Sequence, residues 1–160
     1  GLEMAESGAI VEHLVERFAP DLGRAVDHAE RPAYLQWIHY SETQASLIEN
    51  LNLQHLFLRP PAQPSAITIK LLTARLRATL AGMEARMGKE GWVLEQGFSG
   101  ADIMMGFNLF AAPFYVDMAA FPKVAAYAAR IAARPAYQRA ITREGPQRFY
   151  RQDFYPVPDA

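Results

Sequence analysis

The segment Phe98-Ser99-Gly100-Ala101-Asp102-Ile103 and the apolar run that follows it to Phe114 constrain the fold most strongly. Ser99, followed three residues later by Asp102, has the spacing of a capping box. In such a box the hydroxyl accepts the backbone N–H of the acidic residue, and the carboxylate accepts the N–H of the serine. The run after it is apolar almost all round a helix, which is typical of a helix enclosed by others. The sequence therefore predicts a central helix over 99–114, with Ser99 and Asp102 in a structural capping role.

Length and composition limit the alternatives. The 160 residues suffice for one domain with a core, and 51% of them are apolar, which excludes disorder as the default state. The formal net charge is −1, so no overall field favours nucleic acid or an anionic membrane. No apolar run approaches the roughly 20 residues of a membrane span. Cysteine is absent, which excludes disulfides and a cysteine nucleophile in this stretch. We expect a cytoplasmic protein with neither a nucleic-acid nor a membrane partner.

Helical periodicity accounts for most of the chain. Apolar spacing predicts a helix over 9–18, a long helix from 31 to about 58 and a second long helix over 65–87. The prolines of 60–64 must separate the long pair, because successive prolines remove backbone donors. Two long amphipathic helices joined by so short a turn are expected to pack as an antiparallel hairpin.

The remaining segments are shorter. Pro122 and Pro135 each stand where a first helical turn tolerates proline, which predicts two further short helices. The aromatic, proline-rich tail 149–158 is expected to lie over a neighbouring surface. Residues 2–5 alternate weakly, which suggests the end of a strand.

Four segments in this order resemble the glutathione transferases of bacterial type. Glu6-Ser7-Gly8-Ala9-Ile10 is similar to the segment that ends their thioredoxin-like domain, and 98–103 is similar to the capping segment of their central C-terminal helix. Trp92-Val93-Leu94 resembles the apolar segment before that box, and 121–137 resembles their closing helices. The resemblance implies an all-α fold, the glutathione transferase C-terminal-like helical bundle, with a remnant of a thioredoxin-like α/β domain at the N-terminus.

The resemblance also implies how the chain is divided. Residues 1–20 would be the last strand and helix of an incomplete thioredoxin-like domain, 21–30 a linker, and 31–160 the all-helical C-terminal domain. In the family, the Ser, Tyr or Cys that holds the glutathione thiol belongs to a preceding stretch that is not among these residues. We expect a glutathione transferase in the intact protein, no catalytic residue in this stretch, and no activity from the 160 residues alone.

Glu6 and Ser7 are the glutathione-binding residues that the resemblance implies, since in the family the matching pair holds the γ-glutamyl end. The residue types agree with this role. Backbone N–H groups and a hydroxyl at a helix N-terminus receive a carboxylate, and Glu6 can take an ammonium group. The alternative from spacing alone is that Ser7 only caps its helix and Glu6 is a solvated turn residue.

The first long helix carries the pocket for the second, hydrophobic substrate that the resemblance implies. Its expected lining residues, with one from the central helix, are Trp37, Tyr40, Ser41, Gln44 and Phe107. Packing in the core or at a dimer interface is at least as good an interpretation of Trp37, because aromatic residues at helical spacing are mostly buried.

No metal site is expected from the histidines. His39 and Glu42 are three residues apart on one helix, but no second such pair and no His-Glu-x-x-His run accompanies them. The full set is His13, His28, His39 and His55. The expected partners are glutathione as co-substrate, a small hydrophobic electrophile and a second copy in a homodimer.

The sequence leaves two functions open. The first is conjugation of the glutathione thiolate to an electrophile, as in detoxification, and isomerisation, dehalogenation or disulfide reduction on the same fold stay open beside it. The second is a non-catalytic interaction or scaffold module built on the same helical domain. A retained Glu6-Ser7 pair favours the enzyme, because a scaffold has no need of a γ-glutamyl site.

Overall fold

The computed structural model describes residues 1–158, and within them the chain forms helices and turns without a strand. The α-helices are α1 (Ser7–Phe18), α2 (Arg31–Asn52), α3 (Ala66–Arg86), α4 (Gly100–Asn108), α5 (Pro122–Ala132) and α6 (Pro135–Glu144). Short helical turns cover Pro20–Leu22, Leu53–Phe57, Ala112–Phe114 and Met118–Ala120. The predicted all-α fold is confirmed.

The prediction of a strand end at residues 2–5 is wrong. This segment is extended and exposed, and no neighbouring strand is present among the described residues to pair with it. A strand is stable only when its backbone groups bond to a partner. The helix predicted after it is present as α1.

The predicted antiparallel hairpin is formed by α2 and α3. The Tyr40 hydroxyl donates to the Thr79 carbonyl at 3.3 Å, and just beyond the end of α2 Gln54 Oε1 accepts the Ser65 N–H at 2.8 Å. Residues early in one helix therefore face residues late in the other. Ser65 also caps α3, because its hydroxyl accepts the Thr68 N–H at 3.3 Å. The α2 helix ends at Asn52, earlier than predicted, and continues as the wider turn Leu53–Phe57.

The central position predicted for α4 is confirmed, since α4 packs against α1, α2 and α5 and most of its residues are buried. It is shorter than predicted, because the helix ends at Asn108 and the chain turns into Ala112–Phe114. Pro113 explains the difference, since its ring cannot donate a backbone hydrogen bond and would clash with the preceding turn of a continued helix. The Asn108 side-chain amide then ties the end of α4 to α2 by donating to the Ser41 carbonyl at 2.8 Å.

The predicted capping box is present at the start of α4. Asp102 is fully buried, and its Oδ2 accepts the Ser99 N–H at 2.8 Å and the Ser99 hydroxyl at 3.0 Å. The other carboxylate oxygen accepts the Val93 N–H at 3.0 Å, so one side chain holds both the helix start and the loop before it. Burial raises the pKa of the Asp102 carboxyl, and these hydrogen bonds offset only part of that rise.

The C-terminal third covers the hairpin and α4. Glu84 of α3 accepts the N–H groups of Lys123 and Val124 at 3.1 and 3.0 Å, so a carboxylate from another helix satisfies the N-terminus of α5. The tail lies over the bundle as predicted, because Tyr150 stacks on Phe114 with ring centroids 3.8 Å apart. None of the helices in the described part of the chain has both the length and the apolar character of a membrane span.

Candidate functional site

Glu6 and Ser7 form the N-terminus of α1. Ser7 is the first helical residue and Glu6 precedes it with φ 71° and ψ 112°, a conformation that a residue with a Cβ rarely adopts. Such backbone strain costs on the order of 1–3 kcal/mol and clusters at functional sites. Both side chains are exposed, and no side chain caps the helix. The first N–H groups of α1 are therefore left for another partner.

The Ser7 hydroxyl does not cap α1 but donates to Oε1 of Glu42 on α2, at 2.8 Å. Because its hydrogen is used in this bond, the hydroxyl oxygen can only accept from a ligand. The site therefore has two kinds of group. The carboxylates of Glu6 and Glu42 attract an ammonium group, and the N–H groups at the start of α1 attract a carboxylate. Both charges of an amino-acid head group have complementary groups here.

Glu42 is a residue that sequence reasoning did not assign to this position. The sequence pairs it only with His39, because the contact between Ser7 and Glu42 spans 35 residues and leaves no local pattern. The available signal was its exposed place on α2 one turn beyond the buried Ile38, at the edge of the apolar stripe.

Close approach of three helices holds α1 in place. Gly100, the first residue of α4, lies so near α1 and α2 that a Cβ on it would be 2.7 Å from the Tyr34 hydroxyl and 3.2 Å from Val15 Cγ2. Gly8 in α1 has more room, since a Cβ there would be 3.5 Å from Ile38 Cγ2. The candidate site is therefore carried by a helix whose packing admits little movement toward α4.

An ion pair between the buried Arg24 and the partly buried Glu30 fixes the linker between α1 and α2. Arg24 Nε donates to Glu30 Oε2 at 2.8 Å, with 5% and 14% of the two side chains exposed. The second oxygen of Glu30 accepts the N–H groups of Glu95 and Gln96 at 2.8 and 3.2 Å, which joins the linker to the loop before α4. Burial raises the pKa of Glu30, but the bonds from Arg24 and these N–H groups outweigh it, so the pKa is lowered overall.

The structure does not bring the five residues expected around the hydrophobic substrate into one cavity. Trp37, Ser41 and Gln44 are buried, and the Gln44 amide donates to Thr79 Oγ1 at 3.1 Å inside the hairpin. Their spacing explains this, because positions 37, 41 and 44 follow the same helical stripe as the core residues of α2. Tyr40 is half-buried against α3, and Phe107 lies on the surface of α4 with 72% of its side chain exposed.

Two cavities lie elsewhere on the molecule. One of about 230 Å³ is lined by Trp37 together with Glu30, Arg86 and the loop over 88–95. The other, of about 410 Å³, lies between residues 113–119 and Phe154 of the tail. Neither is lined by Glu6 or Ser7. Among residues 1–158, no group of three histidine or acidic side chains is arranged to hold a metal ion.

Comparison with solved structures relates this arrangement to known proteins. The chain is similar to a glutathione S-transferase from Actinobacillus pleuropneumoniae, at 23% identity and a TM-score of 0.73, over 89% of this chain and 64% of that one. It is similar to URE2P8 from Phanerochaete chrysosporium, solved with oxidized glutathione, at 17% identity and a TM-score of 0.78, over 88% and 65% of the two chains. A sphingomonad glutathione S-transferase in complex with glutathione matches at 26% identity and a TM-score of 0.69, over 88% and 68%.

The similarity is one of fold. No protein-family model matches the sequence, and no curated protein matches it. The chain spans 64% of the length of the Actinobacillus structure, so about a third of that relative has no counterpart in these residues.

Proposed function

The chain has the helical fold of the glutathione transferases, and from this fold we propose that it is the greater part of such an enzyme. In this proposal residues 1–20 complete a thioredoxin-like domain, 21–30 link the domains, and 31–160 form the helical domain. The glutathione thiolate, held by a residue of a preceding stretch, attacks a hydrophobic electrophile. Catalysis then comes from a lowered thiol pKa and from placing the two reactants side by side. The 160 residues alone are inactive.

The strained backbone of Glu6, directly before Ser7 at the open N-terminus of α1, is the observation that carries the proposal. We assign the γ-glutamyl carboxylate to the backbone N–H of Ser7 and the ammonium group to Glu6. Charge-assisted hydrogen bonds of this kind contribute on the order of 1.5–3 kcal/mol each. In this proposal Glu42 orients the Ser7 hydroxyl by accepting its hydrogen bond. The oxygen of the Ser7 hydroxyl then also faces the ammonium group.

In this proposal the pocket for the second substrate has residues that contact the substrate and buried residues that support them. Tyr40 and Phe107 keep exposed surface and contact the electrophile, with the Tyr40 hydroxyl as a hydrogen-bond group. Trp37, Ser41 and Gln44 lie behind them in the core and fix the shape of α2. The pocket is completed by the same preceding stretch that holds the thiol.

We further propose a cytoplasmic homodimer that serves detoxification. Its contact surface includes the outer face of α3, where Ile67 and Leu71 lie one turn apart and are 80% and 50% exposed. Equilibrium sedimentation of the intact protein tests this, because Leu71→Glu is expected to give monomers, whereas Lys70→Glu, at an exposed position about 100° around α3 from Leu71, should leave the dimer. A monomeric wild type would contradict the proposal.

Calorimetric titration of the intact protein with glutathione tests the γ-glutamyl site. Glu6→Ala is expected to weaken binding about tenfold or more, because the ammonium group loses its carboxylate. Ser46→Ala, which changes an exposed serine one turn beyond Glu42, is the matched control and should bind like the wild type. Equal affinities for the wild type and Glu6→Ala would refute the assignment.

A non-catalytic scaffold module is the second candidate. The observation that favours it is the burial of Ser41 and Gln44, together with the fact that neither Glu6 nor Ser7 lines either described cavity. Glutathione-agarose separates the two functions. A folded, intact wild type that fails to bind the resin is a scaffold, whereas retention that free glutathione reverses supports the enzyme.

A further inference from the structure

The C-terminal tail is held on the bundle by a small set of aromatic and polar contacts, here called the tail cluster. Its members are Asn52, His55, Phe114, Tyr115, Tyr150 and Tyr155. Asn52 Oδ1 accepts the hydroxyls of Tyr115 and Tyr150 at 2.5 and 3.1 Å. The Tyr155 N–H donates to the Phe114 carbonyl at 2.8 Å. These contacts join the end of α2, the segment at the turn Ala112–Phe114 and the tail.

His55 occupies the centre of this cluster. Its ring stacks against Tyr115 with centroids 5.6 Å apart at 29°, and it lies tilted at 50° to the Tyr155 ring with centroids 5.3 Å apart. Its Nε2 is buried and has no hydrogen-bond partner. In the neutral tautomer that has its proton on Nδ1, this leaves a lone pair at Nε2 without a donor.

Within the described residues, neither a carboxylate nor another hydrogen-bond acceptor contacts the ring nitrogens of His55. The titratable groups that face it are the neutral Tyr115 from the turn and Tyr155 from the tail. In the tail, the charged residues nearest to Tyr155 in the sequence are Arg151 and Asp153, and both are exposed. Across residues 1–158, no carboxylate oxygen lies within 4.0 Å of the His55 ring nitrogens. Burial alone lowers the pKa of His55.

Protonation would turn the buried lone pair at Nε2 into an N–H donor with a positive charge. The two tyrosine faces attract a cation, but the buried Nε2 has no hydrogen-bond acceptor and is not in contact with water. Once the tail leaves, water can solvate the ring. Binding of a proton therefore favours the undocked tail.

We propose that the C-terminal tail, residues 147–158, is an acid-released strap that protonation of His55 detaches from the bundle. Its release removes one wall of the 410 Å³ cavity, because Phe154 of the tail closes that cavity against residues 113–119. It also exposes Tyr115 and the end of α2. This inference is independent of the function proposed above.

Amide hydrogen exchange of the intact protein at pH 7.5 and 5.5, corrected for intrinsic exchange rates, tests the strap. The protection of the Tyr155 N–H is expected to fall up to about tenfold in the wild type, because an exposed histidine with a pKa near 6.5 becomes mostly protonated over this range. In His55→Phe, which keeps a ring but cannot be protonated, protection should not change. His39→Phe, at an exposed position on α2, should behave like the wild type.

Two results would overturn the proposal. One is equal protection of the Tyr155 N–H at both pH values in the wild type. The other is the same loss in His55→Phe as in the wild type. Should His55→Phe fail to fold, an NMR titration of the wild-type His55 ring decides, since a pKa at or above 6.5 contradicts the strap and a lower pKa that matches the midpoint of tail release supports it.

Discussion

Single side chains in this molecule hold segments that are distant in sequence. The Asp102 carboxylate joins the start of α4 to the loop at Val93, and Glu30 joins the linker to Glu95 and Gln96. The spacing of Ser99 and Asp102 predicted the contacts between these two residues, because a capping box is formed by residues close together in sequence. The bond to Val93 and the pairing of Arg24 with Glu30 depend on how the chain folds back, so local spacing could not predict them.

Asp102→Ala is expected to destabilise the protein by about 2–4 kcal/mol. The reason is that the substitution leaves the Ser99 N–H and the Val93 N–H buried without partners, in addition to removing a cap. The free energy of unfolding in urea measures it. Asp117→Ala is the matched control, because Asp117 also caps a turn through the Ala119 N–H but is exposed, and it should cost less than about 1 kcal/mol. Equal losses in the two variants would show that burial of Asp102 is unimportant.

Arg24→Met is expected to cost about 1–3 kcal/mol, because it leaves the partly buried Glu30 without its charge partner. The double variant with Glu30→Gln should be less destabilised than the sum of the two single variants, since each one removes the same pair. Urea denaturation of the four proteins gives this coupling. Additive effects would mean that the two side chains do not act as a pair.

The lowered pKa of Glu30 also predicts a pH dependence. In the unfolded chain this carboxyl protonates near its ordinary pKa of 4.5, whereas the folded protein holds it ionised to lower pH. Its contribution to stability is therefore fully present above about pH 5 and is lost as the pH falls through the folded pKa. Unfolding measured from pH 6 to pH 3 should show a smaller decline in Glu30→Gln than in the wild type, and parallel curves would contradict this.

At the scale of the elements, the sequence predicted the helices well where local signals begin and end them. Ser65 begins α3 as predicted, and Pro122 and Pro135 begin α5 and α6. The end of α4 was misplaced because the apolar run continues past Asn108, whereas Pro113 stops the helical backbone. Burial of the α2 stripe was predicted in part, since Trp37 was weighed as a core residue.

The close contact of α4 with α1 and α2 depends on Gly100, because this residue has no Cβ. Gly100→Ala is expected to destabilise the protein by about 1–3 kcal/mol despite the better helix propensity of alanine, because the new methyl group meets Tyr34 and Val15. Gly8→Ala, which has ordinary contact distance to Ile38, should be neutral or stabilising by up to about 1 kcal/mol. Thermal melts compare the two, and a stable Gly100→Ala protein would show that α1 and α4 can move apart.

At the scale of the whole molecule, the fold of residues 1–158 is that of the helical part of a glutathione transferase. The sequence resemblance predicted this fold, and the solved structures confirm it. It also assigned Glu6 and Ser7 to glutathione, and that assignment stays a prediction that the strained backbone at Glu6 and the open end of α1 support. The positions of residues 21–30 and of the tail could not be predicted from the sequence. Both segments are held by side chains and backbone groups that are distant in the sequence.

The backbone N–H signal of Ser7 in the intact protein, followed by NMR as glutathione is added, tests the central claim most directly. If α1 receives the γ-glutamyl carboxylate, the Ser7 and Gly8 amide signals should shift in a saturable way, and glutathione lacking its γ-glutamyl residue should leave them in place. Glutathione binding that leaves these two signals unmoved, or no binding by the folded protein, would contradict the account.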